Sequence, residues 1–201
     1  QILKQDTEIM TGDNGKCVIA FDAAKKNTVT IEKGSRIKIE NIIPGSVFLP
    51  KGRVFTIIRD IQHVGQFEVK TPTAVTGARG TGWVTEFENG STSVSVFEDN
   101  VLVTGLDADG LVVSELTIQQ EYQVQIPTGG VAPEPERVSE DDKREWDSNT
   151  KAIEQIISDF EQKTMREGQT AVQPGEMKKD FVHGPEDQKH MQDMVDKMKT
   201  S

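Results

Sequence analysis

Between Ile9 and Ile126 apolar and polar residues alternate with period two, and turn chemistry interrupts the alternation roughly every eight to twelve residues. Cys17, Ile19 and Phe21 point one way, as do Val29 and Ile31, then Ile37 and Ile39 with Arg36, Lys38 and Glu40 opposite them. The same spacing recurs in Phe67 and Val69, in Trp83 and Phe87, and in Val94 and Val96 between Ser93 and Ser95. It recurs again in Val101 and Val103, and in Tyr122, Val124 and Ile126 between Gln123 and Gln125. Such runs predict strands with one buried and one wetted face. Asn14-Gly15, Asn89-Gly90 and Asp109-Gly110 stand between runs, where residues tolerant of positive φ close tight hairpins. The pattern predicts a mainly β protein: an antiparallel β-sandwich or barrel-like domain of about a dozen short strands over residues 1–127, with no long helix before Pro133.

The period then changes. Residues 127–135 contain three prolines and no periodicity, which predicts an extended linker over 128–138. Beyond it, over 139–201, lies a helical tail. Ser139 followed by Asp142 resembles a capping box with a shortened acid, and Trp146, Ile153, Ile156, Ile157, Phe160 and Thr164 share one stripe that ends at Gly168. This predicts an amphipathic helix over about 139–167. A second helix over about 185–199 opens at Pro185 and carries Met191, Met194, Val195 and Met198. A helix this polar needs its apolar stripe packed on something, since most helical stability comes from such packing. Trp146, Ile153, Ile157, Phe160, Met191, Met194 and Met198 are therefore the candidate partner-binding residues.

Charge sharpens the division. Residues 1–133 hold 12 basic and 16 acidic side chains, whereas the shorter remainder holds 11 and 17. The first part can bury a core and the second buries little by itself. The whole chain of 201 residues carries a formal charge of −10, which argues against a nucleic-acid groove or an anionic membrane surface. The longest apolar run, Cys17 to Phe21, is too short to span a bilayer. Gln1 is compatible with the mature end left by a removed signal peptide, and with a trimmed chain.

Enzymatic constellations are weak. Cys17, mid-strand among apolar residues, reads as a plain buried thiol. His63, His183 and His190 share no motif with it or with a Ser or Asp. Gly77-x-Arg79-Gly80-x-Gly82 resembles a phosphate-cradling loop but opens a strand where such a loop needs a helix. Asp107-Ala108-Asp109-Gly110 resembles the start of a calcium loop, yet Ile118 stands where the bidentate Glu is required. His183, His190 and the tail methionines have ligands suited to a cuprous ion, although a Met stripe at helical spacing is first a packing face. No catalytic residue, metal or cofactor is expected.

Residues 69–84, Val-Lys-Thr-Pro-Thr-Ala-Val-Thr-Gly-Ala-Arg-Gly-Thr-Gly-Trp-Val, resemble the signature of FecR-like extracytoplasmic domains, in which a strand ending in Thr-Pro leads to Arg-Gly-Thr and another strand. The segments Asp6 to Gly12, Val18 to Asp22 and Val29 to Ile31 are similar to that family's opening. Ser91 to Val103 and Leu111 to Ile126 fit its closing hairpins, with Glu98-Asp99-Asn100-Val101 where the family usually has an acidic residue, Gly and Val. The resemblance covers about residues 3–127. Thr71, Pro72, Arg79, Gly80 and Thr81 are its structural motif, and Arg79 is expected to bond backbone carbonyls or a carboxylate such as Asp22 or Glu86.

The resemblance implies an extracytoplasmic protein, periplasmic, surface-bound or secreted. Characterised relatives relay the state of an outer-membrane transporter to a cytoplasmic sigma factor, but this sequence shows no cytoplasmic helical module and no transmembrane helix. The first expectation is accordingly a non-enzymatic, exported structural or assembly protein whose tail packs on another copy of itself or on another envelope protein. The alternative is a sensory or regulatory module of an anti-sigma-type pathway. A carbohydrate-binding role would need stacking platforms, and Trp83, Trp146 and Tyr122 all fit packing stripes.

Overall fold

A computed structural model describes residues 2–78 and 80–170, and for His63, Glu161 and residues 164–170 it describes the backbone alone. Arg79 and the expected helix over 185–199, with Met191, Met194 and Met198, lie outside the described residues. The chain separates into two compact units, Gln1–Ile157 and Ser158–Ser201.

Among the described residues thirteen strands form one curled sheet. In chain order they are β1 (Glu8–Met10), β2 (Cys17–Ala20), β3 (Asn27–Ile31), β4 (Arg36–Asn41), β5 (Ser46–Ile58), β6 (Phe67–Lys70), β7 (Ala74–Ala78), β8 (Gly82–Glu88), β9 (Ser91–Glu98), β10 (Asn100–Leu106), β11 (Val112–Gln119), β12 (Tyr122–Ile126) and β13 (Glu136–Arg137). A one-turn helix α1 (Ile61–Val64) separates β5 from β6, and the long helix α2 (Glu140–Thr170) follows β13. The mainly β class with a C-terminal helix is the one the alternation predicts.

The long strand β5 joins the two halves of the sheet. Its first residues pair with β4 and β6, its later ones with β3 and β8. The β5–β6 pair is parallel, Ser46–Phe48 against Glu68–Lys70, in a sheet the sequence reads as antiparallel throughout. Alternation reports which face is buried, and parallel and antiparallel neighbours bury the same face, so the pattern carries no information on strand direction.

Two of the three turn dipeptides close hairpins. Asn89 (φ 51°) and Gly90 (φ 76°) join β8 to β9 with Glu88 facing Ser91, and Gly110 (φ 78°) lies in the turn from β10 to β11. In that second turn the Asp107 carboxylate accepts from the amides of Asp109 (3.0 Å) and Leu111 (2.8 Å), so it is spent on the turn itself. Asn14-Gly15 closes no hairpin, because β1 pairs with β4 and β2 with β3. The expected linker 128–138 contains a strand: β13 pairs with β12 through Tyr122–Arg137 and Gln123–Glu136. Glu136 and Arg137 are exposed, and their ladder rests on backbone groups that any residue supplies.

The main core gathers Val29, Ile37, Val47, Phe67, Trp83, Val94 and Ile126 with fifteen further buried side chains from both halves of the sheet. The inward positions of the alternation fill it. A second, separate cluster contains Phe55, Ile57, Val84 and Phe97 from β5, β8 and β9 together with Val138, Trp146 and Ile153. All of its members lie within the first compact unit. It explains why β3 is buried along its whole length, contrary to the one wetted face expected of it.

Candidate functional site

The second cluster is a slot in the sheet that receives α2. Cross-strand register builds it: Thr30 faces Phe55, Phe55 faces Val84, and Ile57 faces Gly82, which places these side chains in adjacent rows on the face away from the main core. Trp146 enters this face. Its indole lies parallel to Phe97 with ring centroids 4.7 Å apart, and near-parallel to Phe55 at 6.1 Å. Offset aromatic stacking at these distances contributes beyond simple area burial.

Gly82 forms the floor. A Cβ there would stand 2.5 Å from Trp146 Cζ2, closer than atoms pack, so the missing side chain is the space the indole occupies. Gly82→Ala, at the first residue of β8, should therefore displace Trp146 while leaving the strand's hydrogen bonds in place. The expected readout is a red shift of Trp146 emission against an unchanged β-type circular dichroism spectrum. Unchanged emission would show that the slot accommodates the methyl.

Charged groups frame the slot. Arg53 lies over the Phe55 ring at 5.1 Å and reaches three carboxylates: Glu145 at 2.9 Å, Glu86 at 3.7 Å and Asp142 at 3.8 Å. Its Nε makes no hydrogen bond, so the Glu86 contact is an ion pair across a gap. Lys16 stands 5.8 Å from the Phe55 centroid, is 2.6 Å from Glu32 Oε1, and donates to the Asn149 side-chain carbonyl of α2. Beside Arg53 opens a cleft of about 520 Å³ whose lining includes Asp13, Glu32, Lys51, Glu86, Glu88 and Glu145.

Burial pushes the Glu86 carboxyl above the usual carboxylate value, with Arg53 pulling it down and Glu88, Glu145 and Asp142 pushing it further up. A folded-state pKa above the unfolded one means that the folded chain holds the proton more tightly. Glu86 therefore stabilises the fold when protonated, and that contribution is lost as pH rises from the unfolded value through the folded one. Relative to Glu86→Gln, which stays neutral, the wild-type chain should lose stability in urea titrations as pH rises above the unfolded carboxylate value of about 4. A constant difference between the two would show that Arg53 cancels the effect of burial.

Helix α2 is started by Ser139, whose hydroxyl accepts from the Asp142 amide at 3.1 Å and donates to the Asp142 carboxylate at 2.5 Å. The helix continues through Gly168 to Thr170, past the expected end.

The expected partner-binding residues divide. Trp146 and Ile153, expected to face a partner, are buried against this chain's own sheet. The sequence shows an apolar stripe that needs a cover, and only the tertiary structure shows an apolar sheet face within reach. Ile157 is half-buried and packs at the edge of the same cluster. Phe160, in the second unit, is 57% exposed.

The Thr-Pro and Arg-Gly-Thr motif is structural where it is described. Buried Thr71 and Thr73 both place their hydroxyls 2.6 Å from the Thr92 hydroxyl, and Thr71 also accepts from the Ala74 amide. Pro72 is exposed, Gly80 adopts φ 77°, and the Thr81 hydroxyl donates to the Glu98 carbonyl. Trp83 is fully buried and donates from Nε1 towards the hydroxyls of Thr76 (3.2 Å) and Thr85 (3.1 Å), so it is no stacking platform. Tyr122 is half-buried with the Arg137 guanidinium 5.4 Å from its ring centroid. Cys17 is half-buried and burial raises its thiol pKa, which disfavours the thiolate.

Sequence reasoning missed Arg53, Phe55, Val84 and Phe97. The signal was present as doublets, Val54-Phe55, Trp83-Val84 and Val96-Phe97, where a half-wetted strand should show one apolar residue and one polar.

Comparison with known proteins gives these features a family. Residues 7–102 match the FecR protein family, a span that contains the Thr-Pro and Arg-Gly-Thr segments. Two crystal structures of a candidate anti-sigma factor from Parabacteroides distasonis ATCC 8503 share the fold. Each has a TM-score of 0.51 and 19% sequence identity, covering 65% of this chain and 59% of that one. This chain thus spans little more than half the length of that protein. No curated protein matches the sequence. Among the described residues no helix is long and apolar enough to cross a membrane.

Proposed function

We propose that this chain is an extracytoplasmic sensory and regulatory module of an anti-sigma-type signalling pathway, acting by protein contact and not by catalysis. The carrying observation is the FecR match over residues 7–102, with a fold shared by a candidate anti-sigma factor. The principal argument for an assembly protein was a helix whose apolar stripe lacked a cover. Trp146 and Ile153 now have one within their own compact unit, so they create no need for self-association. The partner of such a signalling module is a protein of the envelope, and its expected compartment is the periplasm.

The test measures transcription from a sigma-factor-dependent promoter in the native host while this chain is deleted and then restored. A change on deletion, reversed on restoration, supports a regulatory module. Unchanged transcription from every such promoter, together with concentration-dependent oligomers at high micromolar concentration, would return the protein to the assembly class.

A further inference from the structure

We infer that the Phe55–Phe97 slot is a helix-receiving site, which α2 occupies as a replaceable ligand. The partner that fits it is an amphipathic helix repeating α2's own docking chemistry: a large aromatic residue, a β-branched apolar residue seven positions later, and carboxylates four and one positions before the aromatic. In α2 these are Trp146, Ile153, Asp142 and Glu145. The inference takes the signalling reading as its setting and supplies that reading with a switch.

Three observations carry it. The slot is shaped for an aromatic ring, since Gly82 leaves room that a methyl would fill and Phe97 lies flat against the indole. Its charge is complementary to the incoming helix: Arg53 and Lys16 lie over the Phe55 ring and meet Glu145, Asp142 and Asn149 of α2. The slot and the main core are also separate clusters, so vacating one leaves the packing of the other in place. Among the described residues the last backbone hydrogen bond between this segment and the sheet runs from the Val138 amide to the Glu121 carbonyl at 2.9 Å, just before α2 begins. Beyond that residue the described polar contacts from α2 to the sheet are made by side chains, and side-chain contacts exchange more readily than a strand ladder. Helices recognised through anchors on one face, at steps of three, four and seven residues, are a recurring mode of protein recognition.

Because α2 is tethered, a competing helix meets a slot that is already filled at an effective concentration of about 1 mM, and its apparent affinity falls with the open fraction. The experiment titrates a fluorescently labelled peptide of residues 139–157 into the full chain and follows anisotropy. In Trp146→Ala/Ile153→Ala the tethered helix has lost its anchors, and this variant should bind the peptide about 100-fold more tightly than the wild-type chain does. Adding Gly82→Ala to the double variant should remove that binding, because the peptide's indole then meets the new methyl. Equal affinities for the wild-type chain and the double variant, or binding that survives Gly82→Ala, would overturn the inference.

If the double variant does not fold, native-state hydrogen exchange on the unaltered chain decides. Amides of residues 144–157 should exchange through an opening that leaves β8 and β9 protected. Exchange of helix and strands in a single step would overturn the inference. The peptide experiment needs no transcriptional output, so the slot and the signalling reading can fail independently.

Discussion

Trp83→Ala should lower stability by about 3 to 5 kcal/mol, the range for deleting a large buried aromatic side chain. The indole is fully buried at the junction of β8 with β5 and β9, and it packs edge-on against Phe67 with centroids 6.4 Å apart. Its truncation opens a cavity in the main core and also removes the Nε1 donor shared by the Thr76 and Thr85 hydroxyls. Those two hydroxyls stay 3.3 Å apart, and Thr76 keeps its bond to the Val69 carbonyl at 3.0 Å, so the polar cost is partial and the cavity dominates. Against a total stability of about 5 to 15 kcal/mol for an ordinary domain, this loss should bring the chain close to unfolding at physiological temperature. Urea unfolding followed by β-type circular dichroism measures it. A loss below about 1 kcal/mol would mean that the core collapses around the cavity and that Trp83 is not a central support.

Trp146→Ala removes a side chain of the same type with a different expected outcome. The residue belongs to the second cluster, whose failure leaves the main core intact, so the loss cannot exceed the free energy that holds α2 on the sheet. A reduction of up to about 3 kcal/mol in helix docking is expected. It should appear as an early loss of helical signal on heating, separated from a later sheet transition that Trp83, then the single remaining tryptophan, reports by its fluorescence. One transition shared by helix and sheet, shifted as a whole, would instead make α2 an obligatory part of a single cooperative unit. The same measurement bears on whether residues 1–127 fold alone, which the composition break suggests. Such a fragment would leave Phe55, Ile57, Val84 and Phe97 without Trp146 and Ile153, and should bind hydrophobic dyes more strongly than the full chain.

The sequence by itself determined the class of the protein and most of its main core, because inward-facing positions in a strand recur every second residue and water forces them to be apolar. Ile37 and Ile39, Val94 and Val96, and Val101 and Val103 are all buried as the alternation requires. Local turn chemistry likewise marked the β8–β9 hairpin, since positive φ at Asn89 and Gly90 is a property of those two residues. The Thr-Pro and Arg-Gly-Thr segments also carried the family. What the tertiary structure decided was which surfaces meet. The parallel β5–β6 pair and the pairing of β13 rest on backbone groups common to all residues, and no side-chain pattern records them. The stripe on α2 announced that it must be covered, but a free energy of burial proportional to area does not name the surface that does the covering. That choice came from strands far apart in the chain, β5, β8 and β9, whose register brings Phe55, Val84, Phe97 and the side-chain-free Gly82 to one place and leaves a slot the width of an indole ring.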